Sequence, residues 1–287
     1  MSKELKSLHS TSVGESFTLI GKARQKLSRV KHRIMVLSGK GGVGKTFLST
    51  MLSLELARRS YRVGLFDADI HGSSTSVMLG LQQLRLYADD EGVRPIEGPL
   101  GLKIVSMNFM VESLDTPIIW RGPLKSRAIM ELFSMINWGD LDYLIMDMPP
   151  GTGDEAITIA QVVGDIDGAI VVTAPGLMNE VVVSRAIKFT KSSGIPLLGI
   201  VENMCYYRCP HTGVLHYPLG RSTGEYLAKK YNSRLLARIP LDPNIEEALA
   251  RGRQFILEYP DSEASKAIAE LATAIVSLVE KPTNALM

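Results

Sequence analysis

The residues Gly39-Lys40-Gly41-Gly42-Val43-Gly44-Lys45-Thr46 lie between an apolar run and a stretch with helical spacing, and that placement restricts the fold more than any other feature. Arg33 to Gly41 carries Ile34, Met35, Val36 and Leu37 into the glycines, as a strand would. Thr46 to Arg59 then sets its apolar residues at the period of a helix. A G-x-x-x-x-G-K-[ST] pattern between a strand and a helix is that of a loop that wraps phosphates. Glycines allow close approach to the anion, and the free N–H groups of a helix start favour negative charge. In such a loop Lys45 offers charge to the β- and γ-phosphates and Thr46 offers a hydroxyl to Mg²⁺. The ligand predicted is ATP with Mg²⁺, bound by Gly39, Lys40, Gly41, Gly42, Val43, Gly44, Lys45, Thr46 and Phe47.

The same strand-then-helix unit recurs along the chain. Tyr61 to Phe66 leads to Asp67, and Tyr143 to Met146 leads to Asp147. Leu102 to Met107, Ala169 to Thr173, Leu197 to Val201 and Leu235 to Ile239 are further short apolar runs. Strands buried on both faces of a parallel sheet read this way. Helical patterns fill the gaps at Ala156 to Val163, Asn179 to Ser192 and Thr223 to Lys230, and Ser262 caps a last amphipathic helix to Glu280. The alternation predicts an α/β fold, a single doubly wound, mainly parallel sheet flanked by helices. Residues 1–30 read as a polar lead-in, helical only from about Ala23, and residues 31–287 as one domain with a cysteine-containing loop near 205–216. Gln82 to Gly101, with its charges, glycines and prolines, reads as an excursion within that domain.

Opposed to 32 basic residues are 30 acidic ones, a net charge of +2, which gives no argument for nucleic acid or an anionic membrane as partner. No run approaches the roughly 18 apolar residues of a membrane span, and the first thirty residues lack the apolar core of a secretory signal. A cytoplasmic location is expected. Cys205 and Cys209 are the only cysteines, and four residues apart in a reducing compartment they suggest a metal or redox site rather than a disulfide.

Carboxylates at the ends of neighbouring parallel strands face the ligand crevice. Asp67 and Asp69 follow one strand and Asp147 follows another. Thr46, Asp67 and Asp147 are the expected Mg²⁺ site, and Pro149 to Glu155 reads as a switch loop able to sense the γ-phosphate, with Asp154 also a helix-cap candidate.

Lys40, a second lysine at the start of the loop, makes the sequence resemble the deviant P-loop ATPases, the group of MinD, ParA and nitrogenase iron protein. The resemblance implies a homodimer in which Lys40 reaches the partner's nucleotide, Asp67 orients metal-bound water and Asp69 positions the attacking water. Lys40, Asp67 and Asp69 are therefore the catalytic candidates. Phe47 stands where the group has a second Thr, so the α-phosphate loses a hydroxyl contact. Within the group, Asp67-Ala-Asp-Ile-His-Gly72, Ile119-Trp-Arg-Gly-Pro123, Met148-Pro-Pro-Gly-Thr-Gly-Asp154, Val201-Glu-Asn-Met204 and Ile239-Pro-Leu-Asp-Pro243 are similar to the Mrp/ApbC-type proteins. That likeness implies a slow ATP hydrolase that carries iron–sulfur clusters to apoproteins, with Asn203 contacting adenine. The family's Cys-Pro-x-Cys appears here as Cys209-Pro210-His211-Thr212. Cys205 and Cys209 from each of two subunits could supply the four sulfurs of a bridging [4Fe–4S] cluster, and His211 is an alternative ligand. Three other readings stay open. One is a zinc site of Cys205, Cys209, His211 and His216; another is a loop that holds no metal. The third is a MinD/ParA-like spatial organiser, although the chain's end, with Lys281 its one basic residue after Val276, lacks a basic amphipathic helix.

Overall fold

Strands such as Ile34 to Leu37 have no polar face to give to water, so a sheet made of them must be covered on both sides. The computed structural model describes residues 13–69, 74–90, 92–110, 122–176 and 179–280. The first elements are α1 (Val13–Leu27), β1 (Val30–Ser38), α2 (Lys45–Arg58), β2 (Val63–Asp67) and a single turn, α3 (Thr75–Met78). Next come β3 (Tyr87–Asp89), β4 (Gly92–Arg94), β5 (Ile96–Glu97) and β6 (Lys103–Ser106). They are followed by α4 (Gly122–Met135), β7 (Leu141–Asp147), α5 (Asp154–Val163), β8 (Gly168–Thr173), α6 (Asn179–Ser192) and β9 (Leu197–Arg208). The chain closes with β10 (Leu215–His216), α7 (Gly224–Lys230), β11 (Leu235–Leu241), α8 (Pro243–Ala250), α9 (Phe255–Glu258) and α10 (Glu263–Val279).

The main sheet runs β10-β9-β8-β1-β7-β2-β6-β5, with β11 also paired to β9. Its six central pairings are parallel. Only the edge strands β5 and β10 run antiparallel. One core lies between the sheet and α1, α4, α5 and α6, and includes Leu27, Phe133, Ile159 and Ala186. The other lies under α2, α9 and α10, and includes Leu48, Phe255 and Ile268. The sheet is therefore doubly wound and mainly parallel, as expected.

Three boundaries differ from the sequence reading. The first helix begins at Val13, not near Ala23, because Ala23 and Leu27 are fully buried and the turns before them extend that face. The excursion between Gln82 and Gly101 contains the β3–β4 hairpin and the edge strand β5. Strand β9 does not stop at Val201 but runs seven residues further, to Arg208, since β11 and β10 give it new partners. Ser262 does cap α10, its hydroxyl accepting from the Ser265 N–H at 3.0 Å. Ile70 to Gly72 and Ile119 to Arg121 of the quoted motifs lie outside the described residues, as does the end of the chain from Lys281.

Candidate functional site

Strand β1 is central, flanked by β7 and β8, and its buried end at Ser38 delivers the chain to the glycine loop. Two of the glycines are imposed by close neighbours. A Cβ on Gly39 would lie 2.2 Å from the carbonyl oxygen of Val182 in α6. Gly44, with φ near 77°, is in the left-handed region, and a Cβ there would sit 2.3 Å from Asn203 Nδ2. Helix α2 starts directly afterwards, so its unpaired N–H groups point into the loop. The loop encloses a cleft of about 270 Å³, bordered also by Ser38, Asp69, Ser74 and Pro150. The Ser38 hydroxyl is buried there without a hydrogen-bond partner, a polar atom placed to meet a polar ligand.

Asp147 is the centre of the site. Register places it beside Val36 of β1 and Asp67 of β2, so the ends of three adjacent strands converge. Its side chain is fully buried, yet its two oxygens accept three hydrogen bonds: Lys45 Nζ at 2.7 Å and Ser49 Oγ at 2.7 Å on Oδ1, and Thr46 Oγ1 at 2.6 Å on Oδ2. A buried carboxylate is tolerable only when paired and bonded in this way. Asp67, also fully buried, accepts from the Asp69 N–H at 3.1 Å and from Ser106 Oγ at 3.2 Å. Asp69 is half-buried and lines the cleft, and Lys40 is exposed at its rim. The structure thus brings Lys45, Thr46, Asp67 and Asp147 together at the base, with Asp69 and Lys40 at the mouth. Hydroxyl and carboxylate oxygens make a donor set that suits a hard cation such as Mg²⁺.

Asn203 belongs to the loop's support. It is buried in β9 and its Nδ2 donates to the Val43 carbonyl at 3.0 Å. Phe47 faces the core, its ring 6.1 Å from that of Phe255. The preceding residue on β9, Glu202, is fully buried and accepts from the N–H groups of Thr223 at 2.7 Å and Gly224 at 3.0 Å. It also accepts from the Ser222 hydroxyl, and so caps α7. Met204, next along, has φ near 56°, rare for a residue with a side chain.

Beyond Met204 the same strand leads to the cysteines, and their surroundings are opposite. Cys205 is fully buried, its Sγ donating to the Ile239 carbonyl at 3.1 Å, and burial pushes its thiol up to about 11. Cys209 is half-buried where the β9–β10 hairpin turns. The Thr212 hydroxyl, joined by the N–H groups of Thr212 and His211, holds the Cys209 thiol below its ordinary range. Thr212, found where a second ligand cysteine was expected, thus favours the Cys209 thiolate. Cys205, the other expected cluster ligand, has its thiol turned to a backbone carbonyl in the core, whereas Cys209 lies at the turn. The chain does not assemble the proposed zinc set: among the described residues no three His, Cys, Asp or Glu side chains are grouped to hold a metal ion.

Sequence reasoning missed Ser38, Ser49, Ser106 and Glu202. For Ser49 a signal existed: it lies one helical turn after Lys45 and shares its face.

A family model for the NUBPL iron-transfer P-loop NTPases (ParA) matches residues 29–276. The chain belongs to this family. An iron-sulfur cluster carrier protein of Saccharolobus solfataricus is 43% identical over 259 residues, 90% of this chain and 88% of that protein. A cytosolic Fe-S cluster assembly factor NUBP2 homolog of Dictyostelium discoideum is 38% identical over 240 residues, 82% of this chain and 91% of its own. Among solved structures, a nucleotide-binding protein from Archaeoglobus fulgidus in complex with ADP superposes with a TM-score of 0.73 at 34% identity, covering 82% of this chain and 92% of that one. The cell division ATPase MinD of Pyrococcus furiosus, at 24% identity, TM-score 0.62 and coverage of 86% and 99%, shares the fold. Among the described residues, no helix is long and apolar enough to cross a membrane.

Proposed function

We propose that this NTPase hydrolyses ATP with Mg²⁺ and works as a homodimer that carries iron–sulfur clusters to apoproteins. The observation that carries the reading is β9: one strand supports the phosphate loop through Asn203 and ends at the activated thiol of Cys209. With ATP bound, Lys45 would serve the β- and γ-phosphates, and Thr46, Asp147 and Asp67 would hold Mg²⁺. The metal, when bound, neutralises charge developing on the phosphates. Asp69, at the cleft mouth, orients the attacking water, and Lys40 is free to reach the nucleotide of a second subunit. Catalysis by such groups is positioning and electrostatics, and suits slow turnover. Asn203 lies close enough to the loop to meet the adenine of the nucleotide.

The cluster is cargo. Each subunit offers one thiol at a turn, the half-buried Cys209, with His211 beside it, so a cluster bridged by these alone has fewer protein sulfurs than the four of a resident [4Fe–4S] centre. Incomplete ligation favours release to an apoprotein that supplies the missing ligands. The family membership and the names of the relatives support the cargo, and the cytosolic relative supports a cytoplasmic site of action. The test is anaerobic reconstitution with iron and sulfide, metal analysis, and transfer to an apo-ferredoxin with and without ATP. ATP-dependent loss of the carrier's visible absorbance with matching gain in the acceptor is expected. A protein that takes up no iron, or hands it over at the same rate without ATP, would sink the reading.

A further inference from the structure

Asp147 accepts from three donors, and two of them belong to the nucleotide. Lys45 is needed at the phosphates and a lone pair of the Thr46 hydroxyl at the metal, so when the cleft fills the carboxylate loses its lysine and shares Thr46 with the metal. The third, Ser49 Oγ, is fully buried at 2.7 Å from Oδ1 and lines no part of the cleft. Its alternative acceptor is the Lys45 carbonyl at 3.0 Å. A hydroxyl has one proton to donate, and a charged acceptor at shorter range takes it. Helix formation does not call for a serine here, since Ala is the better residue inside a helix.

We infer that Ser49 is a positioning residue for metal-dependent nucleotide binding: it fixes the Asp147 carboxylate while Lys45 exchanges it for the nucleotide and Thr46 is shared with the metal. The inference rests on the Mg²⁺–ATP reading of the cleft. A carboxylate abandoned by its lysine in a buried site must be held and charge-compensated, or it stays with the lysine. Ser49 supplies the holding and the cation supplies the charge, so nucleotide and metal enter as linked events. Losing Ser49 should then weaken the metal's part while leaving the phosphate loop itself intact.

The experiment is a Mn²⁺ titration followed by electron paramagnetic resonance at fixed ADP, which requires no turnover, on the full chain and on Ser49→Ala and Ser49→Cys. Cysteine keeps the volume of serine but donates weakly. Expected is a rise of about tenfold in the Mn²⁺ concentration for half-saturation in both variants, from loss of a charge-assisted hydrogen bond, with metal-free ADP affinity close to that of the unaltered chain and the apo melting temperature lowered by only a few degrees. Unchanged Mn²⁺ half-saturation in Ser49→Ala overturns the inference. So does recovery in Ser49→Cys, which would make the residue a packing element, or an equal loss of metal-free ADP binding. If the unaltered chain binds no Mn²⁺–ADP, the nucleotide reading fails together with the inference. If it binds and both variants bind Mn²⁺ as it does, the inference alone fails.

Discussion

On the inner half of β9, Glu202 and Asn203 are buried, and their side chains are bonded to the start of α7 and to the phosphate loop. At the outer end of the same strand, Cys209 sits on a turn held mainly by short-range bonds to the backbone and side chain of residues 211–214. The first region is completed by contacts between residues far apart in sequence, such as Lys45 with Asp147. The second, on the proposed reading, would be completed by another subunit. On that reading, the site that must place charge accurately is preorganised by burial, whereas the thiol that would meet a second subunit and then an acceptor lies at a turn.

The sharpest way to break this contrast is to remove its strongest buried contact. Lys45→Ala should lower ATP turnover by about a hundredfold or more. Because it leaves the fully buried Asp147 without its cation, it should also cost about 3–5 kcal/mol in urea unfolding of the apo protein. Adding Asp147→Asn should return much of the stability and none of the turnover. If Lys45→Ala unfolds at the normal urea concentration, the site is not preorganised by burial.

At the outer end, Cys209→Ser should abolish the visible absorbance of the reconstituted protein, while Cys205→Ser should keep most of it. Equal loss in both variants would put Cys205 back among the ligands and erase the difference between the two thiols.

Iodoacetamide at pH 7 should modify Cys209 at least about tenfold faster than Cys205. The sign follows from the two shifts. A lowered thiol constant keeps Cys209 ionised as pH falls through the ordinary value of about 8.5, so its rate profile should turn down below that value. Cys205, raised to about 11 and buried, stays protonated until far higher pH or until the protein unfolds. Matching profiles in a pH series read by mass spectrometry would overturn the assignment.

The smallest effect concerns the loop's support. Asn203→Ala removes one neutral hydrogen bond, worth about 1 kcal/mol, so ADP binding by calorimetry should weaken about fivefold. A loss larger than a hundredfold would mean that the proposed adenine contact, and not support of the loop, dominates at Asn203.

The loop from Gly39 to Thr46 and the acids at strand ends were legible in the sequence because each is local: a glycine spacing, an apolar run, a carboxylate after it. The doubly wound sheet followed from the same runs. What was not legible depends on pairing between distant segments. Strand β9 continues past Val201 only because Arg208 and Tyr207 find β10, and Leu241 of β11 meets Tyr207. Cys205 and Cys209 look equivalent as letters, and their difference arises from the Ile239 carbonyl on another strand. Helix α4 did carry a signal, with Ile129, Leu132, Phe133 and Ile136 at helical spacing, but the sequence reading leaves it out.

The missing Cβ of Gly44 leaves the space that the Asn203 amide occupies, although the two positions are 159 residues apart. Their histories are therefore tied. A side chain at position 44 would have to push the amide at 203 off the Val43 carbonyl and also adopt a left-handed backbone, so it is better tolerated where that amide is already gone. Drift at this pair can proceed only through forms with a weakened loop, so selection for nucleotide binding should hold both letters in place together.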